Sequence, residues 1–543
     1  MIDCYYYELM TVDPISLTIL HRRLQGITEE MSLVLRKTAY SPNIKERADF
    51  SCAIFDTQGD MVAQAEAIPV HLGSMPFVAK PIIRMFQDTW QSGDAIITNS
   101  PRSGFGGTHL PDITLLAPVF NNGEFTHLLA ARAHHADVGG MSPGSLPAQS
   151  TEIFQEGLII PPVRLYIEGK ENVDVMNLIL ENVRTPFERR GDLRAQYSAL
   201  RLGVRRMIEL TNQELDWDIS MMQSELHRRS EETTIEKLKS LGTKISSFTD
   251  YLDSDGINVD DPVRISCKIT LPGNGTIEFD FAGSDDERIG NCNAPFSVTQ
   301  SACFYIVRLL VGDDVLTNAG CFRPVHIIAP EASVVNPTPN VATSSANTET
   351  SSRIVDVLMG AMNKIIPWPS SSQGTMNNLL IGGIHDGKPW SIYETIGGGT
   401  GAGPSFPGTS AIQSNMTNTE NTPIEALELS YPLRVREYSI RKDSGGKGEF
   451  RGGDGIIREI EILSNATITL QTERRRISPW GQGPGETHGN KGINEIFELT
   501  IKSDSGVETF EWRELDSKVS ISNVKPGSKI KISTPGGGGF TYG

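Results

Sequence analysis

The chain of 543 residues is long enough for roughly two to four hydrophobic cores, and its 49 Lys plus Arg against 66 Asp plus Glu leave a formal net charge of −17. Basic residues are scattered apart from Arg474-Arg475-Arg476 and pairs such as Arg189-Arg190, which argues against nucleic acid and anionic membranes as partners. Six cysteines without a C-x-x-C pair read as buried thiols in a reducing compartment, and no apolar run of about 18 residues occurs, so the expectation is a soluble cytoplasmic protein.

Met1 to Tyr7 lack the basic start and apolar core of a signal peptide, and residues 1–11 read as a disordered extension, with Met10 as an alternative start. After Asp13-Pro14, Leu17, Leu20, Leu24, Ile27, Met31, Val34 and Leu35 recur at helical spacing up to the break at Thr38 to Ser41, predicting an amphipathic helix against a core. Ser51 to Asp56 and Met61 to Gln64 flank the polar turn Thr57-Gln58-Gly59-Asp60, the pattern of a strand, a tight turn and a returning strand. Further strands are predicted at Ala95 to Thr98, Ile113 to Phe120 and His127 to His134. From Thr185 to about Gly242 the composition favours one or two long helices, and Val263 to Thr270 with Gly275 to Phe281 predict a hairpin. Polar stretches at 333–352 and 396–421 read as long functional or mobile loops, and the glycine run 397–403 as a flexible loop. Short β-like segments punctuated by glycine fill the C-terminal part. The fold class expected is α+β: a large multidomain chain with mixed β-sheets, long linking helices and a small β-rich C-terminal domain. The divisions expected are an N-terminal domain at 12–245, a central α/β domain at 246–440 and the β-rich domain at 441–543.

Chemistry concentrates between His109 and Asp137, which hold four of the ten histidines, together with Asp112 and Asp137, behind the glycine-rich stretch Gly104-Phe105-Gly106-Gly107. His and Asp are the N and O ligands of zinc, manganese or iron. Pro111 inside His109-x-x-Asp112 excludes a helix, so this pair projects from a loop entering a strand. If the strand at Leu128 to His134 continues, His134 and His135 point to opposite faces and only one serves a given pocket. The plainer alternative makes Asp112 a turn residue and the two histidines a sheet edge. His71 is flanked by apolar residues and reads as a core histidine, and Arg132, on the face of His134, as either an anion contact or a structural ion pair. No phosphate loop, G-x-S-x-G elbow or H-E-x-x-H motif is present, and Asp253-Ser254-Asp255-Gly256 reads as a linker turn.

Several runs together resemble the hydantoinase B/oxoprolinase family. They are Thr38-Ala39-Tyr40-Ser41 with Asn43 to Arg47 and Asp49 to Cys52, His71 to Met75, Gly107 to Asp112, His134 to Gly140, Met416 to Thr419, Asn421 to Pro423 with Glu425, the Gly445 to Gly453 turn, and Thr534 to Gly539. The resemblance runs from about residue 12 to residue 540. It implies a B-type subunit of an ATP-dependent cyclic amidohydrolase, hydantoinase- or 5-oxoprolinase-like, with a partner ATPase subunit of the hydantoinase A type in a hetero-tetramer or larger. On that partner, ATP and Mg would phosphorylate the carbonyl oxygen of a small cyclic amide. It also implies a divalent metal (Mn, Zn or Fe) held by Asp49, His109, Asp112 and His134, with Glu46 as the rival carboxylate. His135 and Asp137 would then orient a ligand or move a proton. Two other readings remain open: a subunit of an acetone carboxylase-like ATP-dependent carboxylase, and a non-catalytic scaffold for the ATPase subunit.

Overall fold

The computed structural model describes residues 13–65, 68–102, 104–213, 218–312, 315–501 and 508–543, so the extension expected at 1–11 lies outside the described residues. Helix α1 (Pro14–Thr38) starts where the sequence predicts: Asp13 accepts hydrogen bonds from the Ile15 and Ser16 amides at 3.2 and 3.0 Å, and Pro14 opens the first turn. Its apolar stripe from Leu17 to Leu35 is buried. A short second helix, α2 (Pro42–Lys45), follows.

The first sheet contains β1 (Phe50–Phe55), β2 (Met61–Gln64), β3 (Ala95–Thr98), β4 (Asp112–Asn121), β5 (Glu124–His134), β6 (Val163–Ile167) and β7 (Lys170–Glu171) in the order β2-β1-β5-β4-β3-β6-β7. Every pairing in it is antiparallel. Both faces are covered. Ala53, Phe55, Leu128 and Ala130 join one core with helix α3 (His71–Phe86), while Cys52, Ile54, Leu129 and Ala131 join a second core with α1. This explains why β1 reads as a continuous apolar run rather than an alternating one. Between β7 and the next sheet lie α4 (Val173–Leu180), α5 (Pro186–Thr211) and α6 (Ile219–Ser240), the last two being the long helices predicted there. Helix α5 lies along α1 and over β4.

A four-stranded sheet follows, β11-β10-β9-β8, built from β8 (Thr243–Leu252), β9 (Val263–Pro272), β10 (Ile277–Asp280) and β11 (Val325–Ile328). It contains the predicted hairpin, β9 against β10. Helices α7 (Phe296–Val311) and α8 (Ser351–Met362) pack on α3 and on this sheet in the first core. The stretch 333–352 is not simply a loop. It carries a π-helix at Ala346–Thr350 that runs directly into α8, a geometry frequent at functional sites.

The C-terminal strands form two sheets with a common core. One, in the order β13-β12-β16-β19, joins β12 (Asn378–His385), β13 (Lys388–Glu394), β16 (Ala466–Gln471) and β19 (Lys518–Val524). The other, β14-β15-β20-β17-β18, joins β14 (Leu433–Arg441), β15 (Gly455–Ile462), β17 (Ile493–Ile501), β18 (Glu508–Leu515) and β20 (Lys529–Ser533). Helices segregated from antiparallel sheets and one mixed sheet, in which β10 and β11 run parallel, make the class α+β, as expected. The glycine run 397–403 differs from expectation. It is interleaved with glycines 445–453 and 536–539 through backbone hydrogen bonds, Gly399 N–H to Pro535 O (3.1 Å), Gly453 N–H to Thr400 O (2.9 Å) and Gly537 N–H to Gly453 O (2.9 Å). Any Cβ at Gly399, Gly453 or Gly537 would run into a neighbouring backbone, so these glycines are required by close packing of main chains rather than by flexibility.

Candidate metal centre

The β4–β5 hairpin turns at Asn122-Gly123, both with positive φ (51° and 85°), the signature of a two-residue hairpin turn. Its register pairs Asp112 directly with His134. His109 lies one turn earlier, where the Asp112 amide donates to the His109 carbonyl at 3.2 Å and Pro111 closes the bend. A ligand atom from each of His109, Asp112 and His134 therefore falls within 4.8 Å of the other two, and all three residues are buried. The imidazole centroids of His109 and His134 are 4.9 Å apart.

The hydrogen bonds around these residues leave polar atoms of the cluster without partners. His109 Nδ1 faces the Ser344 carbonyl at 3.2 Å. That contact holds its proton on the far side and turns Nε2 toward Asp112, 3.4 Å from Oδ2. Asp112 Oδ2 also accepts from Thr108 Oγ1 (2.5 Å) and Asn347 Nδ2 (2.9 Å), and His71 Nε2 stands 3.5 Å away. Its second oxygen, Oδ1, has no hydrogen-bond partner, and neither has His134 Nε2. The His134 ring stacks on Tyr393 at 4.5 Å, and Asn43 Nδ2 lies 2.9 Å from its Nδ1. Buried polar atoms are normally paired. Unpaired carboxylate and imidazole atoms in a group whose ligand atoms lie within 4.8 Å of one another fit a cation better than they fit a packed core.

Electrostatics agree with that geometry. Burial alone would raise the Asp112 carboxyl, but His109 and His71 beside it hold it well below the usual carboxylate range. Burial lowers His109, yet Asp112 outweighs it and the ring ends above its ordinary value. His134, depressed by burial and then by His109, stays neutral, which suits a ligand.

Asp49 lies at the edge of this group. Ala48 takes a positive φ of 55°, a strained bend of the kind functional sites retain, and the Asp49 carbonyl accepts the His134 amide at 3.0 Å. Its carboxyl is pushed up to about 7, mainly by burial, with Arg47 opposing and Asp112 adding to the rise. Glu46 is half-buried at the end of α2. His135 and Asp137 stand apart from the cluster. His135 Nε2 meets Gln196 Oε1 of α5 at 3.0 Å, on the opposite side from His134, as strand alternation predicts. Asp137 spends both oxygens on the Gly139, Gly144 and Arg184 amides and the Arg184 guanidinium, which clamps the loop after β5. Arg132 is fully buried and bonded only to neutral groups, Thr114 Oγ1, Ser74 Oγ and the Gly106 carbonyl.

Sequence reasoning missed Asn43, Asn347, Ser344 and Tyr393, and it took His71 for a core histidine although it touches Asp112. Asn122-Gly123 was the available signal for the Asp112–His134 register. Nothing local marks Asn347, which arrives from 235 residues away. A cavity of about 290 Å³ is lined among others by Phe77, Arg102, Gly107, Phe296 and Thr343, and none of His109, Asp112 and His134 is part of its lining.

The family profile described as hydantoinase B/oxoprolinase matches residues 13–542. A 5-oxoprolinase of Dictyostelium discoideum is 38% identical over 97% of this chain, which spans 40% of that protein's length. An uncharacterized protein of Methanocaldococcus jannaschii is 40% identical over 97% of this chain and 91% of its own. The crystal structure of the ATP-dependent caprolactamase from Pseudomonas jessenii superimposes with a TM-score of 0.85 at 27% identity, covering 98% of this chain and 91% of that one.

Proposed function

The chain belongs to the hydantoinase B/oxoprolinase family, and from that premise we propose that it is the hydrolytic, B-type subunit of an ATP-dependent cyclic amidohydrolase with a divalent metal at His109, Asp112 and His134. The observation that carries this reading is the convergence of one ligand atom from each of these residues within 4.8 Å in a buried setting. Asp49, beside them, is the proposed fourth ligand. When bound, the metal supplies a Lewis acid and a water of lowered pKa.

Amide resonance protects an unstrained lactam from water. Phosphorylation of its carbonyl oxygen by ATP gives an imidate whose phosphate is a good leaving group. Addition of water at that carbon and cleavage of the ring C–N bond, with the departing nitrogen taking a proton, leave an acyl phosphate of the open chain, and a second water then gives the open amino acid and inorganic phosphate. The protein's part is positional. Ser344 and Asn43 fix the two imidazoles, Thr108 and Asn347 fix the carboxylate, and the surrounding burial excludes bulk water from an activated substrate. Phosphorylation is assigned to an A-type partner subunit. In support, the M. jannaschii relative has this unit as nearly its whole length, whereas in the D. discoideum 5-oxoprolinase it is 40% of a longer chain.

Metal analysis of the purified chain, alongside His109→Ala with folding checked by circular dichroism, tests the centre. Near-stoichiometric manganese, zinc or iron that disappears in a folded variant is expected. ATP-dependent opening of 5-oxoproline or a hydantoin by the chain together with an A-type subunit tests the activity. A folded wild type that stays metal-free after supplementation would overturn the reading.

A further inference from the structure

The least expected group at the centre is the side chain of Asn347, which lies in the π-helix just before α8 and is 4% exposed. Its Nδ2 stands 2.9 Å from Asp112 Oδ2 and 3.3 Å from His109 Nε2. These atoms belong to two residues of the proposed metal set, so the amide occupies the space that their lone pairs face. Its oxygen, Oδ1, is buried without any hydrogen-bond partner. A half-turn of the amide exchanges the two ends and gives up only those two bonds. The O and N ends of an asparagine side chain have the same shape and opposite polarity, so neighbouring charge decides which faces inward.

We infer that Asn347 is a further ligand of the metal centre, presenting Oδ1 to a cation held by His109, Asp112 and His134. The inference rests on the metal reading above. A cation cannot share His109 Nε2 with an N–H donor, and an amide N–H₂ turned toward a cation is repelled, whereas a carbonyl oxygen is attracted. Carbonyl oxygens are ordinary ligands for manganese-like ions. The π-helix supplies the means, because its extra residue in the turn places Asn347 against the centre while Ser351 and the rest of α8 continue into the core. The neighbouring backbone is pinned from three directions. Glu156 accepts the Thr343 and Ser344 amides, each at 2.9 Å, Ser345 Oγ donates to Asn291 Oδ1 at 2.8 Å, and Gln471 Nε2 donates to Ser344 Oγ at 3.2 Å. The side chain is therefore delivered by a fixed support rather than by a loose loop.

Cobalt(II) titration of the full chain, followed by the visible d–d bands and by calorimetry, is the test. Asn347→Ala is expected to weaken cobalt binding by about tenfold or more, the range in which groups around a metal act, and to change the band positions. Asn347→Asp, nearly isosteric, is expected to bind more tightly than wild type, and it carries the test if the alanine variant fails to fold. Wild-type affinity and an unchanged spectrum in either folded variant would overturn the assignment of Asn347 while leaving the three-residue centre standing. A wild type that binds no cobalt would overturn both.

Discussion

Two of the buried groups of charged residues among the described residues are built on opposite plans. Around Arg474 every charge meets its opposite. The guanidinium contacts Asp250 at 2.6 Å and also Asp356, Arg353 stands 3.5 to 3.8 Å from Asp250, Asp356 and Glu473, and Lys518 bonds Glu473. Around Asp112, by contrast, the partners are imidazoles, a hydroxyl and an amide, and no guanidinium or ammonium touches the carboxylate. A buried charge must be paired or must coordinate an ion. The first group balances cation against anion, although Asp356 Oδ1, Arg353 Nε and Arg474 Nε lack hydrogen-bond partners, and it joins β8, α8 and the segment after β16. The second sets a carboxylate among imidazoles with no guanidinium or ammonium against it, and that difference, more than burial or residue type, separates an architectural cluster from a candidate centre.

The sharpest way to break the comparison is to remove the hub cation. Arg474→Met leaves Asp250 and Asp356 buried without it, and truncating one side of a buried pair typically costs about 3–5 kcal/mol. A urea midpoint shifted far down, or loss of soluble protein, is expected. A stability close to wild type would mean that the hub is not the anchor its geometry implies. The matching substitution at the other cluster has the opposite profile. Asp112→Asn keeps an oxygen for Thr108 and Asn347, so its unfolding free energy in chelator is expected within about 1 kcal/mol of wild type. Bound metal measured by elemental analysis is expected to fall below about a tenth of the wild-type content. Wild-type metal content in this variant would move the centre elsewhere.

Buried ionisable groups outside these two clusters contrast in pH dependence. His127 on β5 is held neutral, chiefly by burial, with its pKa lowered to about 4, whereas an unfolded histidine titrates near 6.5. The unfolded chain therefore binds the proton first. This contribution is fully present above about pH 6.5 and is lost as pH falls toward 4, amounting to about 3 kcal/mol at most. Glu156 and Glu349, raised to about 7 by burial, act in the opposite sense, favouring the folded chain as pH falls from about 7 toward 4.5. The clean measurement is thus the difference between wild type and His127→Gln. The variant is expected to gain on wild type steadily from pH 7 to pH 4.5, and parallel stability curves would exclude His127 as a source of acid lability.

Legibility from sequence follows the same contrast. The pattern His109-x-x-Asp112 and the strand leading to His134 were readable because ligand type, a helix-breaking Pro111 and a period of two are local properties. The helices α1, α5 and α6 were readable from their apolar spacing and composition. The hub was not readable, since Arg474, Asp250 and Asp356 are ordinary charged residues until three segments meet. Helices α3 and α7 were missed: α3 contains Pro76 and Pro81, which read as breaks, and α7 is a short, mostly buried apolar run of the kind whose periodicity alone does not separate helix from strand. The glycine stack was misread because close main-chain packing and flexibility draw on the same residue.

The smallest expected effect concerns the carboxylate at the rim, where family resemblance left Asp49 and Glu46 as rivals. The strained bend at Ala48 carries Asp49 to the end of β1, where its carbonyl takes the His134 amide and its carboxyl senses Asp112 and His109 through the burial they share. Glu46 stays half-buried at the end of α2. Asp49 is nevertheless outside the three-residue group whose ligand atoms lie within 4.8 Å of one another, so it should tune the centre rather than create it. Asp49→Asn is expected to weaken metal binding by about tenfold, at the lower end of the effects of groups around a metal, with the stoichiometry recoverable at higher metal concentration. Glu46→Gln is expected to leave affinity unchanged. The opposite ranking in a calorimetric titration would place Glu46 at the metal and require the turn between α2 and β1 to rearrange on loading.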